Sequence, residues 1–393
     1  MMPQNRERIS DKELYALRMN IRKVTETELE ALSDEMEKTN VYPEKMWEIC
    51  RKNDLFRLSL PKPYGGIGLC YEQYFPCLEE MSRGPGSIRM FLHHANGLNW
   101  HILADHGNEE MKNKWLPLMA NEDFFINFAL TEPGCGSGVD IRTKADRKGD
   151  QYVLNGQKTL ISFTDVHDAS YIIAVTDESK RKKGGHSAFV VPSDTPGIWV
   201  EPMPHMMGCR GTGHGDLIMQ NCEIPASNRL GEEGEGLTIF LHALAISRAS
   251  IGVCCLGMSQ RFLELTIARA KDRVTFGKPI ASRQAIQQTI ADMGTQVHAC
   301  RMIAWDVARQ IDRGEEIEMK ASMLKLHGID TLRTVSDSCL EIFGGIGYFE
   351  DNPYGPVERM YRDARAMWLE EGPRTVQRLT AARILIQNNG AIK

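Results

Sequence analysis

The 393-residue chain lacks most of the motifs that reveal a chemistry at sight. Its ten cysteines include no CxxC pair and no Cys/His cluster of zinc spacing. That sets aside a structural zinc and a redox dithiol, and leaves the thiols as small buried hydrophobes of a reducing compartment. Its eleven histidines include no HExxH, and the adjacent His93 and His94 cannot share one helix face, so they are poor joint metal ligands although either can face a pocket. No metal is expected. No GxGxxG follows a strand, and neither GxxxxGK[ST] nor GxSxG occurs, which excludes a Rossmann dinucleotide site, a P-loop and a nucleophile elbow. Basic excess is missing too: 47 Lys and Arg stand against 52 Asp and Glu, unlike a general nucleic-acid binder. No apolar run approaches the ~20 residues of a membrane span. The N-terminal MMPQNRERISDKELYALRMNIRK mixes acids with its bases and has no apolar core, so it reads as neither secretory signal nor transit peptide. The expectation is a bacterial cytoplasmic protein that binds no nucleic acid and spans no membrane.

What is present is a chain of three textures. Residues 1–125 carry charged, apolar-periodic stretches of helical type, with a turn at 61–68. Residues 126–236 change to short β-rich runs, at 171–176, 188–191, 198–200 and 217–224. Within them Tyr152-Val-Leu, Asn155-Gly156 and Thr159-Leu-Ile read as a hairpin with a type I′ turn. From 237 to 393 the helical period returns. Ile286, Ile290, Met293, Val297 and Cys300 form one stripe of a packed bundle, and Leu237, Phe240, Leu241, Leu244, Ile251, Cys255 and Met258 form another. Helices, then strands, then helices, without alternation, is an α+β order, mainly α, and not a doubly wound sheet.

Three features are out of place in a plain scaffold. Glycine, 34 residues, is twice as common as proline and clusters at Gly134-Cys-Gly-Ser-Gly138 and Gly344-Gly-Ile-Gly347. Such clusters are either helix caps or places where backbone approaches a phosphate. Arg248 falls on an apolar stripe, where a guanidinium needs an internal partner or a polar ligand. Glu370-Glu371-Gly372 follows Met367-Trp368-Leu369. It is either a solvated turn or a buried carboxylate whose raised pKa suits proton abstraction near neutrality.

Taken in order, Pro61-Lys-Pro-Tyr-Gly-Gly66, Thr131-Glu-Pro-Gly-Cys-Gly-Ser137, Leu154-Asn-Gly-Gln-Lys158, Arg273-Val-Thr-Phe-Gly-Lys278, Gln284, Gly344-Gly-Ile-Gly347 and Arg362-Asp-Ala-Arg365 resemble the acyl-CoA dehydrogenases over about residues 45–385. The resemblance implies an N-terminal helical domain, a central β-barrel and a C-terminal four-helix bundle, assembled as a homotetramer around FAD. It implies α,β-dehydrogenation of an acyl-CoA, with Glu371 as the base and electrons passed to an electron-transferring flavoprotein. Enoyl-CoA reduction by the same residues, a flavin oxidase or monooxygenase, and a scaffold without flavin are the alternatives.

By the same resemblance Phe128, Leu130, Thr131, Ser137, Leu160 and Ser162 lie along the flavin. Arg273, Phe276, Gln284, Glu341, Gly344, Gly345 and Thr375 hold the rest of FAD, some of it a neighbouring subunit's. Ser137, Arg248 and Gly372 meet the thioester arm. Ser247 occupies the place where isovaleryl-CoA enzymes carry their base, and it cannot act as one. Gly138, Leu160, Ser162, Glu341 and Pro373 depart from the family pattern, and Glu341 sets a carboxylate beside a pyrophosphate. Arg89, with His93, His94, Asn96 and Asn99, is expected to border the acyl pocket. Arg89 aligns with an arginine that glutaryl-CoA dehydrogenases use on a distal carboxylate, which suggests a short, polar or dicarboxylic acyl group.

Overall fold

The computed structural model describes residues 8–121, 123–136, 138–350 and 352–392. The helices before the sheet are α1 (Asp11–Val24), α2 (Ser33–Thr39), α3 (Glu44–Lys52), α4 (Tyr71–Met81), α5 (Gly86–His94), α6 (Trp100–His106) and α7 (Glu109–Met119). A capping box starts α1, with Ser10 and Glu13 bonding each other's backbone N–H, and the Asn108 side chain caps α7 through the Met111 N–H. After the sheet come α8 (Gly236–Asp272), α9 (Gln284–Asp312), α10 (Glu318–Phe343), α11 (Val357–Ala364) and α12 (Arg374–Gln387).

Between them lie β1 (Ile126–Ala129), β2 (Lys144–Lys148), β3 (Gln151–Ser162), β4 (Ala169–Val175), β5 (His186–Pro192), β6 (Ile198–Pro202), β7 (His214–Pro225) and β8 (Arg229–Leu230). They pair in the order β6-β7-β3-β2-β4-β5-β8, with β1 beside β4. A single residue pair, Lys144 with Val175, links the β2 and β4 halves. The halves face each other across a common core in which Tyr152 and Leu154 meet Phe189 and Val191. Alternate residues of β4 and β5, such as Tyr171, Ile173 and Val190, point the other way onto the helices. Both faces of these strands are therefore covered.

The expected hairpin at Asn155-Gly156 is absent. β3 runs straight through that dipeptide, and its register with β7 shifts between Leu154 and Gly156. Gly156 sits at φ +153°, and a Cβ there would lie 2.5 Å from Thr143 Oγ1, so the glycine serves a bulge and a close crossing. The true hairpin joins β2 and β3 through Gly149 and Asp150, one turn earlier.

The helices at the two ends of the chain share one core, which runs from Ile21 and Val24 through Phe91 and Ile251 to Met360 and Met367. Ion pairs cross the same boundary: Arg83 reaches Glu264, Arg301 meets Glu79 at 2.6 Å, and Glu30 takes both Arg261 and Arg359. α8 is the axis of this core. Every residue from Ala243 to Ser259 is buried, so no stripe distinguishes its faces there. By length and composition α8 could cross a membrane, contrary to the sequence reading, but most of its apolar stretch is buried inside this protein.

Candidate active site

The turn after Trp368 places two neighbouring glutamates in different environments. Arg89, fully buried on α5, donates both terminal nitrogens to Glu370, at 2.9 and 2.8 Å. Burial opposes ionisation of Glu370, but the guanidinium charge and its paired hydrogen bonds outweigh that and hold the carboxyl down at about 2. Glu371 has no such partner. Burial raises it to about 7, against the pull of the Lys325 ammonium and a hydrogen bond from Ser247. Adjacent carboxyls are thus split by environment into a fixed anion and a group that titrates near neutrality.

The turn itself is strained. Glu371 adopts φ +51° and Gly372 φ +96°, and the left-handed region costs a residue with a side chain roughly 1–2 kcal/mol. Its carbonyls hold it in place. Lys325, buried on α10, donates to the carbonyls of Glu370 and Gly372, the latter at 2.8 Å. Arg248 Nε and Gln377 Nε2 each donate to the Glu371 carbonyl at 3.3 Å. Burial lowers the Lys325 ammonium to about 8, while the two glutamates work to keep it charged.

Glu371 Oε1 accepts from the Ser247 hydroxyl, and Ser247 Oγ lies 2.9 Å from His93 Nε2. Glu371 Oε2 is buried and has no hydrogen-bond partner among the described residues. His94 turns aside: its Nδ1 lies 3.0 Å from the Met90 carbonyl, its ring packs edge-on against Phe163, and burial lowers it to about 4.

The other expected site residues form two further groups. Thr131 and Leu130 lie beside β3, joined by the Thr159 N–H to the Thr131 carbonyl at 2.8 Å and by Lys158 to the Leu130 carbonyl. Nearby, Leu160 is 60% exposed at φ +58°, and Phe128 packs on Phe240. Ser162 Oγ is 2.9 Å from His214 Nε2. Ser137 lies outside the described residues. Arg273, Gln284, Glu341, Gly344, Gly345 and Thr375 are all exposed, and Phe276 is 96% exposed with Arg283 over its ring.

A Cβ added at Gly134, Gly136, Gly138, Gly344 or Gly345 would meet nothing within 4 Å. These backbones are open to close approach, which fits a phosphate-bearing cofactor. Glu341 is the one member of this set whose charge does not suit it.

One expectation changes. Arg89 does not offer a free cation to a distal carboxylate, because Glu370 already takes it. Arg248 braces that turn through the Glu371 carbonyl, from the wholly buried stretch of α8. The sequence reading missed Lys325 and Gln377. Lys325, a lone cation amid buried residues of α10, could have been found by the reasoning that singled out Arg248.

Comparison with known proteins agrees with this layout. The family model described as "Acyl-CoA dehydrogenase, N-terminal domain" matches residues 11–123, the middle-domain model 127–222 and the C-terminal-domain model 234–386. A 3-(aryl)acrylate reductase of Clostridium sporogenes is 33% identical, covering 94% of this chain and 98% of its own. The caffeyl-CoA reductase-Etf complex subunit CarC of Acetobacterium woodii is 34% identical, covering 90% of this chain and 93% of its own. The crystal structure of an acyl-CoA dehydrogenase from Geobacillus kaustophilus superposes with a TM-score of 0.89 at 28% identity, covering 96% of this chain and 99% of that one. With its three segments matched in order and its buried carboxylate at the expected turn, the chain belongs to the acyl-CoA dehydrogenase family, FAD-dependent oxidoreductases acting on acyl-CoA.

Proposed function

We propose that this protein interconverts an acyl-CoA and its α,β-unsaturated counterpart, with Glu371 moving the α-proton. The observation that carries this is the Glu371 carboxyl: buried, raised to about 7, with Oε1 held by Ser247 and Oε2 bare. The chemistry FAD supplies when bound is acceptance of the β-hydrogen with its electron pair. Phe128, Leu130, Thr131, Leu160 and Ser162 would border its ring. Arg273, Phe276, Gln284, Gly344, Gly345 and Thr375 would hold the remainder, shared between subunits of a homotetramer. Arg248 and Gly372 would border the thioester arm. Electron-transferring flavoprotein is the proposed electron partner, supported by the Etf complex of the Acetobacterium woodii relative.

The fixed Glu370–Arg89 pair and the neutral His93 and His94 favour a short or polar acyl group without a distal carboxylate. Glu371 also fits the opposite direction, because a carboxyl titrating near 7 gives a proton to Cα as readily as it takes one. Two relatives named as reductases support that second reading. The test is anaerobic. Acyl-CoAs that bleach the yellow oxidised protein mark the dehydrogenase, whereas crotonyl-CoA restoring colour to the reduced protein faster than butyryl-CoA removes it marks the reductase. Glu371→Gln should keep the colour and slow either process about 10³-fold. Bleaching at the wild-type rate in that variant would reject Glu371.

A further inference from the structure

The base does not stand alone, and the elements around it include two groups that the reaction has not yet used. We propose that Ser247 and His93 are positioning residues that fix one oxygen of Glu371 and leave the other to face the acyl chain. This rests on Glu371 being the base.

Three elements converge here: α5 brings His93, α8 brings Ser247, and the strained turn brings Glu371. All three side chains are withdrawn from water. Among the described residues, Ser247 is the one hydrogen-bond donor to the Glu371 carboxylate. A serine hydroxyl has a single proton. When that proton goes to Glu371 Oε1, the serine oxygen must accept from its other neighbour, His93 Nε2, 2.9 Å away. The proton on His93 is then on Nε2, which agrees with His93 Nδ1 being buried without a partner among the described residues.

Imidazolium is disfavoured at this depth by burial, by His94 and by Arg89, so His93 serves as a neutral donor. It lies 4.0 Å from Glu371 Oε1, out of direct hydrogen-bond range, so the hydroxyl is the link between them. The chain His93 N–H to Ser247 O–H to Glu371 Oε1 therefore ties up one carboxylate oxygen. Oε2 is left as the reactive atom.

The charged and titratable groups around Glu371 define what the hydroxyl adds. Lys325 from α10 and Arg248 from α8 favour its anion, and Glu370 opposes it. Arg89 on α5 is spent on Glu370, and His93 and His94 are neutral. The ammonium of Lys325 is bonded to carbonyls of the turn, not to the carboxylate. Ser247 is thus the local contact that steadies the anion, at the position where other family members place the base itself.

The test uses the FAD-loaded protein with Ser247→Ala, which adds no atoms to the buried site, and His93→Gln, which keeps an N–H. Difference infrared spectroscopy follows the protonated carboxyl band against pH, with Glu371→Gln identifying the band. Butyryl-CoA bleaching follows the rate. In Ser247→Ala the infrared midpoint and the acid limb of the bleaching profile should both rise by about one pH unit. The rate should be about fivefold lower at pH 7 and recover at pH 9.5. His93→Gln should move both by less. An unmoved midpoint in a correctly coloured Ser247→Ala protein overturns the proposal. A shifted midpoint with an unmoved rate profile overturns the assignment of Glu371 as base.

Discussion

Around Glu371 the side chains are buried and bonded to one another, and the polar atoms of the turn are shared among Arg89, Lys325, Arg248, Gln377 and Ser247. Around Gly344 and Phe276 the chain is open: a Cβ at Gly277, Gly344 or Gly345 would meet nothing within 4 Å, and Phe276 stands almost wholly in solvent. The first region is finished by the chain's own folding. The second is left open to approach from outside the chain. Stability should therefore reside in the carboxylate region, while the glycine region should gain it mainly from what binds there.

Arg89→Met should have the largest effect. It leaves the largely buried Glu370 without its cation, and breaking such a pair costs about 3 kcal/mol, read as a lower denaturant midpoint at pH 7. Were Arg89→Met as stable as the parent, the ion pair would not organise the turn. Because Glu370 is held at about 2, against an ordinary 4.5, its contribution is complete above pH 4.5 and disappears as the pH falls toward 2.

Glu371 has the opposite sign. Raised from 4.5 to about 7, it costs stability as the pH rises through that window, and the cost is complete above pH 7. Glu371→Gln should therefore be about 3 kcal/mol more stable at pH 8 and close to the parent at pH 4.5. Thermal unfolding at the two pH values checks this, and equal gains at both would contradict the raised carboxyl. The smallest effect belongs to the open region. Gly345→Ala should leave the unloaded protein's melting unchanged and weaken FAD about tenfold, measured by equilibrium dialysis. A loss of unloaded stability would show that this backbone is already packed.

Much of this was legible in the sequence because it depends on local pattern. The change from helix to strand falls at Ile126 and the return to helix at Gly236, where the texture changes. The raised carboxyl of Glu371 was one of the two readings that its neighbours in sequence left open. What was not legible depends on distance along the chain. Arg89 and Glu370 are 281 residues apart, so nothing local marks the arginine as already paired. The His93–His94 pair told only that the two rings diverge, not that one of them meets Ser247. Asn155-Gly156 has the composition of a turn, but Gly156 is needed where β3 passes Thr143. In α8, burial on every side removed the amphipathic contrast that a stripe argument requires.

The shared core of the end helices also bears on how the chain is made. Helices α4 and α5 emerge from the ribosome long before α8 and α10, yet they complete their packing only against the later ones. The sheet, whose own interior is formed within residues 129–224, can close first. During synthesis the N-terminal third must therefore wait with apolar surface uncovered. A fragment ending near residue 125 would expose the apolar surface that α8 covers in the whole chain.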